Sequence, residues 1–284
     1  MHIAISGGRG FVGRALAQRL AGKGHGIGIL SRASGEDARV TAVDYENDAS
    51  LFAALQGKDA LVNLVGILHA RDAATFDAVH HQLPLRLLRQ AARAGIRDML
   101  HMSALGASPT APSAYLQSKA AGERALFAEG RRLGVRVVVM RPSVIFGEDE
   151  GFFHIFGKWL KRLPLMPLPC AQAMFQPVAV EDVAAAFDWA LESSVDQKAF
   201  ALGGPETMTL HEALLRICAA NGWRRRIVPL PDMLARWQAR AGDWLPGAPF
   251  TYDNYLSMQI PNITDDNPWP LMGIVPHPVK IPVF

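Results

Sequence analysis

The stretch Met1-His-Ile-Ala-Ile-Ser-Gly-Gly-Arg-Gly-Phe-Val-Gly-Arg14 decides how the rest of the chain is read. His2 to Ser6 has the short apolar character of a buried strand, and Gly7, Gly10 and Gly13 follow it at G-x-x-G-x-x-G spacing. A helical period then runs from Phe11 through Val12, Ala15, Leu16 and Leu20 to Gly22. Strand, glycine turn and helix, in that order, are the context in which such a motif binds a dinucleotide. One glycine permits the tight turn, one admits backbone amides to a pyrophosphate, and one lets the helix pack closely on the strand. The helix N-terminus adds unpaired N–H groups and partial positive charge for the phosphates. Gly7, Gly10, Phe11, Val12 and Gly13 are the expected cradle.

The bulk numbers bound the rest. The 284 residues suffice for one large domain or a domain with a smaller annex, and with 50% hydrophobic and 19% charged residues a compact fold is expected. The net charge of +3 and a longest basic run of only Arg224-Arg225-Arg226 argue against a nucleic-acid partner. Cys170 and Cys218 suggest neither a disulfide framework nor a metal site, and no metal is expected. No stretch approaches the ~20 apolar residues of a membrane span. With a strand expected from His2, no signal peptide is expected either, so a soluble, cytoplasmic protein is anticipated.

Outward from the glycines, a second strand is expected over Gly26 to Leu30, ending at Ser31 and Arg32. An NAD site usually places an acid about 20 residues after the glycines, to hold the ribose 2′-hydroxyl. Arg32 stands there instead, which favours the 2′-phosphate of NADP(H) over NAD(H); Glu36 and Asp37 nearby keep NAD(H) open. Val40 to Val43 reads as a third strand, followed by Asp44, placed for the adenine amino group, and Tyr45; Ala49 to Leu55 reads as a helix. The apolar run Ala60 to Leu68 reads as a central parallel strand, with Asn63, Leu64, Val65 and Gly66 towards its ligand-binding end. A long amphipathic helix is expected over Phe76 to Ala94, then a fifth strand, Met99 to Met102, leading into Ser103. Tyr115 and Lys119 are four apart on the next helix and share a face. A lysine beside a tyrosine favours the phenolate, making Tyr115 a candidate proton donor and acceptor at a carbonyl. A sixth strand, Arg136 to Met140, runs into Arg141-Pro-Ser-Val-Ile-Phe-Gly147.

The fold expected is α/β: a Rossmann-type, doubly wound parallel sheet with a small C-terminal substrate lobe. Residues 1–150, completed by 176–203, form the nucleotide domain, and 151–175 with 204–284 form the lobe. Thr209 and Glu212 predict a capping box on a helix reaching Asn221. The Pro- and Trp-rich last sixty residues read as a lid over a pocket, with a membrane-surface role the lesser reading.

Gly7-Gly-x-Gly-Phe-Val-Gly13, Tyr115-x-x-x-Lys119, Arg141-Pro-Ser-Val-Ile-Phe-Gly147 and Pro177-Val-x-Val-x-Asp182-Val-Ala together resemble the extended and atypical short-chain dehydrogenases/reductases. Ser103-Ala-Leu-Gly-Ala107 with Tyr115 to Glu123, and Leu202-Gly-Gly-Pro-Glu206 with Thr209-Leu-x-Glu212, resemble the branch of the NAD(P)H-binding accessory subunit of respiratory complex I and its bacterial relatives. The resemblance implies Tyr115 as acid/base. It implies that Lys119 holds the nicotinamide ribose and depresses the Tyr115 pKa, and that Pro142 and Val144 also line the cofactor site. A serine after the fifth strand should polarise the carbonyl. Ser103 takes the first place there, followed by Ala104 and Leu105, whereas the family's catalytic serine is normally not the first.

The expected function is NADP(H)-dependent hydride transfer to or from a small carbonyl, alcohol or quinone-like substrate. One alternative is a nucleotide-binding protein of structural or regulatory role, associated peripherally with a respiratory complex. The other is a nucleotide-sugar epimerase or dehydratase. Against this last stands the apolar run Phe152 to Cys170, which offers a diphosphate little beyond Lys158, Lys161 and Arg162. Oligomeric state is left open by the resemblance.

Overall fold

Seven parallel strands form the central sheet of the computed structural model, which describes residues 1–70, 73–148, 151–244 and 250–284. The first half runs β1 (His2–Ser6), α1 (Phe11–Gly22), β2 (Gly26–Ser31), β3 (Val40–Ala42), α2 (Asp48–Leu55), β4 (Ala60–Asn63), α3 (Ala73–Asp77), α4 (Leu83–Arg93), β5 (Asp98–Met102), α5 (Ala114–Leu133) and β6 (Arg136–Pro142). It continues through β7 (Ile145–Phe146), α6 (Phe152–Arg162), β8 (Leu165–Leu168), β9 (Met174–Phe175), β10 (Val178–Ala179), α7 (Val180–Glu192) and β11 (Lys198–Leu202). The last part holds β12 (Met208–Thr209), α8 (Leu210–Ala220), β13 (Arg226–Pro229), α9 (Asp232–Trp244), α10 (Tyr252–Ser257) and α11 (Trp269–Met272).

The sheet order β11-β6-β5-β4-β1-β2-β3 reverses direction between β1 and β4. The crevice beyond the carboxyl ends of those strands is where ligands bind in such sheets. Ser6 pairs with Leu30 on one side and with Asn63 on the other, so the three strand ends that frame the crevice are level. Both faces are covered. Ile3, Ile5, Val62, Val138 and Met140 pack towards α1 and α7, while Ala4, Leu61, Val137 and Val139 pack towards α2, α4 and α5. This two-sided burial is why the strands read as continuous apolar runs. A third cluster joins Phe153, Leu160, Phe175, Met208 and Leu214, with Ile281 and Phe284 of the C-terminus packed on it.

Two expectations change. The apolar run to Leu68 predicts a longer strand than forms. β4 stops at Asn63, whose side-chain oxygen accepts the Val65 N–H (3.2 Å) while its amide nitrogen meets buried His101 Nδ1 (3.1 Å). That turn carries Leu64 to Gly66 into the crevice. The helix expected over Phe76–Ala94 is broken into α3, a π-helical turn at Ala78–Gln82, and α4. The turn presses its backbone against α5, where a Cβ on Gly122 would lie 2.0 Å from the His80 carbonyl oxygen. The boundary expected at 150 falls on residues 149 and 150, outside those described. Among the described residues no helix is long and apolar enough to cross a membrane.

Candidate active site

The glycine stretch forms a cradle because side chains have no room in it. Gly7 has φ +80°, and a Cβ on it would sit 3.0 Å from the Leu64 carbonyl carbon. A Cβ on Gly13 would lie 2.4 Å from the Gly7 oxygen, so α1 can start this close to β1 only with glycine there. Gly10 is the N-cap of α1 and supplies no capping side chain, and the first turn holds no acid. The leading N–H groups of α1 therefore remain available to an anion. Phe11 packs where a Cβ on Gly147 would stand, 2.8 Å from its ring, and Val12 is buried beneath the loop. The geometry suits the pyrophosphate of a dinucleotide.

Ser31 and exposed Arg32 close β2 at the rim. The Arg9 guanidinium reaches the same strand end, donating from Nη1 to Ser31 Oγ at 3.5 Å. Sequence reasoning passes over Arg9 because it lies inside the glycine motif rather than at the position reserved for the 2′-specificity residue. Asp44 is exposed and accepts the Glu46 N–H (2.9 Å). Tyr45 is occupied with the fold: its hydroxyl donates to the Leu30 carbonyl (3.0 Å) and shares a hydrogen bond with Ser6 Oγ (3.0 Å), stapling β1 to β2. The Pro142 carbonyl accepts from the Leu105 N–H (2.9 Å), and the Val144 N–H donates to Asn262 Oδ1 (3.2 Å). The structure thus places Pro142 beside the loop that follows β5, and Val144 against Asn262, which itself donates to the Leu105 carbonyl of that loop (3.2 Å).

Tyr115, Lys119 and Ser103 gather where α5 crosses the carboxyl end of β5. Ser113 caps α5, accepting from the Leu116 N–H, and Asp253 of α10 accepts the Ala114 N–H (2.7 Å) and Tyr115 N–H (3.1 Å). Lys119 is 2% exposed and donates to the carbonyl of Met102 (3.2 Å), the residue before Ser103. A Cβ on Gly66 would stand 3.0 Å from Lys119 Nζ, so the turn after β4 and this lysine touch through the gap a glycine leaves. Lys119 Nζ lies 6.0 Å from the centre of the Tyr115 ring. Burial holds the Lys119 pKa down to about 8, opposed by Glu123. Glu123 itself is spoken for by Arg141, through two contacts from Nε at 2.9 and 3.1 Å and a third from Nη2.

Tyr115 departs from the expectation that Lys119 depresses its pKa. Burial first, then the Asp253 carboxylate, push the phenol up to about 12, so it is protonated at neutral pH. Its ring sits edge-on to His80 (5.4 Å) and Phe76 (5.9 Å). No sequence pattern singles out His80, of the π-helical turn, since only the tertiary break in the helix brings it inward. Its Nε2 accepts the Ile67 N–H (3.1 Å), which leaves the proton on Nδ1, facing Ser118 Oγ at 2.9 Å. Ser118 in turn donates to the Tyr115 carbonyl (2.7 Å). Burial and then Lys119 lower the His80 pKa to about 3, and the ring is neutral. Ser103 is 4% exposed, and among the described residues nothing hydrogen-bonds its hydroxyl. A buried hydroxyl without a partner is costly by ~1–3 kcal/mol, which makes Ser103 a candidate donor to a ligand.

The chain as a whole is similar to known proteins. The profile of the NAD dependent epimerase/dehydratase family matches residues 3–203. The mitochondrial NADH dehydrogenase (ubiquinone) 1 alpha subcomplex subunit 9 of Arabidopsis thaliana is 29% identical over 304 residues, covering 97% of this chain and 74% of that protein. A ceramide reductase of Caulobacter vibrioides is 29% identical over 194 residues, covering 64% of this chain and 58% of its own length. A double mutant of a dTDP-glucose 4,6-dehydratase from Streptomyces venezuelae, solved with NAD bound, superposes with a TM-score of 0.71 at 20% identity, covering 81% of this chain and 85% of that one. The resemblance to extended short-chain dehydrogenases/reductases, and to the complex I accessory subunit and its bacterial relatives, is borne out. A match of that extent, on a parallel sheet of this order, makes the chain a member of the NAD-dependent epimerase/dehydratase family.

Proposed function

We propose that the protein is an NADP(H)-dependent oxidoreductase that transfers hydride to or from a small carbonyl, alcohol or quinone-like substrate. Residues 151–175 and 204–284 would form the lobe that reads the substrate, and the cytoplasm is the proposed site of action. The observation that carries this reading is the buried Ser103 hydroxyl, without a partner among the described residues, directly after the Met102 carbonyl that buried Lys119 binds beneath the protonated Tyr115. A bound nicotinamide supplies or accepts the hydride at its C4. Everything else falls to the chain's own side chains. Gly7, Gly10 and the start of α1 would hold the pyrophosphate, Arg9 and Arg32 a 2′-phosphate, and Lys119 the sugar beside Gly66. Ser103 donates a hydrogen bond to the substrate carbonyl oxygen, and Tyr115 gives that oxygen its proton. Lys119, charged below about pH 8, favours the negative charge left on the tyrosine oxygen. His80 and Ser118 hold the backbone of Tyr115 against the turn at Ile67.

The test is NADPH oxidation with a panel of carbonyls and quinones. Ser103→Ala should lower kcat by roughly 10²-fold, the usual loss for one donor to a developing oxyanion. Unchanged kcat in that variant would refute the assignment of Ser103. A second reading, nucleotide binding with a structural role in a respiratory complex, draws on relatives that are NADH dehydrogenase subunits along nearly the whole chain. It predicts tight nucleotide binding with no turnover on any member of the panel.

A further inference from the structure

We propose that the outward face of α9 seats this protein on an anionic lipid bilayer. The helix is inverted relative to one that packs on a core. Its small residues Ala235, Ala239 and Gly242 are buried, while Met233, Leu234, Trp237 and Trp244 are 68%, 49%, 67% and 87% exposed. At about 100° per residue, Met233, Trp237 and Trp244 lie within about 40° of one another, with Leu234 extending the same stripe. The buried side is already satisfied, packed with Tyr255 of α10. Two indoles, a methionine and a leucine therefore face water with nothing of the described chain to cover them.

Charge selects the occupant. The acids of α9 are engaged by α10: Asp232 accepts the Tyr255 hydroxyl (2.6 Å) and Asp243 the Tyr252 N–H (2.9 Å). Arg236 and Arg240 flank the stripe, both exposed, and neither has an ion-pair partner among the described residues; Arg240 rests over the Tyr252 ring at 5.0 Å. α6 repeats the pattern. Ile155, Trp159 and Leu163 are exposed at i, i+4, i+8, and Lys158, Lys161 and Arg162 are interleaved without any acid. By contrast, among the described residues of 1–150 only Met1 and Leu68 are large apolar side chains left exposed. Indoles flanked by arginine and lysine suit the depth at which acyl chains meet headgroup phosphates. α10 packs on both α9 and α5 and places Asp253 at Tyr115, so one short helix links the inner side of α9 to the site. The surface stands on its own observations and does not depend on the chemistry proposed for Tyr115.

Co-sedimentation of the full chain with vesicles tests it. The wild type should pellet with phosphatidylcholine vesicles containing phosphatidylglycerol and be released by raised salt or by omission of phosphatidylglycerol. The double variant Trp237→Glu/Trp244→Glu should partition at least ~10-fold more weakly. Its far-UV circular dichroism and thermal unfolding should match the wild type. Failure of the wild type to pellet with anionic vesicles, or equal partitioning of the double variant, would overturn the proposal. So would a wild-type dimer that this double variant dissolves in the absence of lipid and that never binds vesicles, since the face would then be an interface between copies.

Discussion

Lys119 carries its charge where little compensates it. Its ammonium is buried, donates to one carbonyl, and finds its nearest acid, Glu123, already paired with Arg141. A folded pKa of about 8 against 10.5 means that keeping the lysine charged costs the fold about 3 kcal/mol below pH 8, a penalty relieved as pH rises from 8 to 10.5. A buried cation held at such a cost, in contact with a tyrosine ring, has the character of a functional-site candidate. Lys119→Met is therefore expected to be at least as stable as the wild type in denaturant unfolding at pH 7, and inactive. A loss of more than about 2 kcal/mol would mean that the lysine holds the fold together instead. Much at this scale is legible in the sequence. The i, i+4 spacing of Tyr115 and Lys119 is enough to fix their common face. His80, Ser118 and Asp253 are not legible. Their roles depend on a π-helical turn and on a helix 138 residues further along the chain, and no local pattern encodes either contact.

At the scale of elements, the glycine loop and the end of β2 act as one unit. Arg9 reaches Ser31 across that gap, and Arg32 stands next to it. On the proposed NADP(H), guanidiniums at this rim would suit the 2′-phosphate, whereas a ribose hydroxyl would want a carboxylate. Arg9→Ala and Arg32→Ala are each expected to weaken NADPH binding roughly 10-fold and to leave NADH binding within about 2-fold, as tryptophan quenching would report. Equal effects on both nucleotides would place the arginines away from the 2′ position. The strand–glycine–helix order makes β1 and α1 readable to their end residues, because Ile3 to Ser6 and the inward face of α1 are buried and Gly7 and Gly13 leave no room for a side chain. The pattern overextends β4 because the residues after Asn63 are apolar for a different reason: they line the crevice between β1 and β4. It misses the break after α3 because His80 and His81 fit a helical period. The departure comes from Gly122 on the opposing helix, which lets the backbones approach.

For the molecule as a whole, the buried histidines set its response to acid. His80 has a folded pKa of about 3, and His101, fully buried against Asn63, lies well below its ordinary value; burial is the main cause for both. Unfolding returns them to about 6.5, so the unfolded state takes up protons that the folded state refuses as pH falls below that value. The histidines' contribution should be complete above pH 7 and fall by about 1.4 kcal/mol per pH unit for each histidine between pH 6 and 5, before the carboxylates titrate. Urea unfolding at pH 7 and pH 5 would show it, and a flat profile would contradict the buried, neutral state of these rings. The same burial places His80 and Lys119 around Tyr115, and the proposed chemistry rests on this tyrosine moving a proton. The most direct measurement compares wild type and Tyr115→Phe for NADPH oxidation with the best substrate of the panel, alongside NADPH affinity. The expected result is a fall in kcat of roughly 10²–10⁴-fold with nucleotide affinity unchanged. Equal turnover by the two proteins would contradict it.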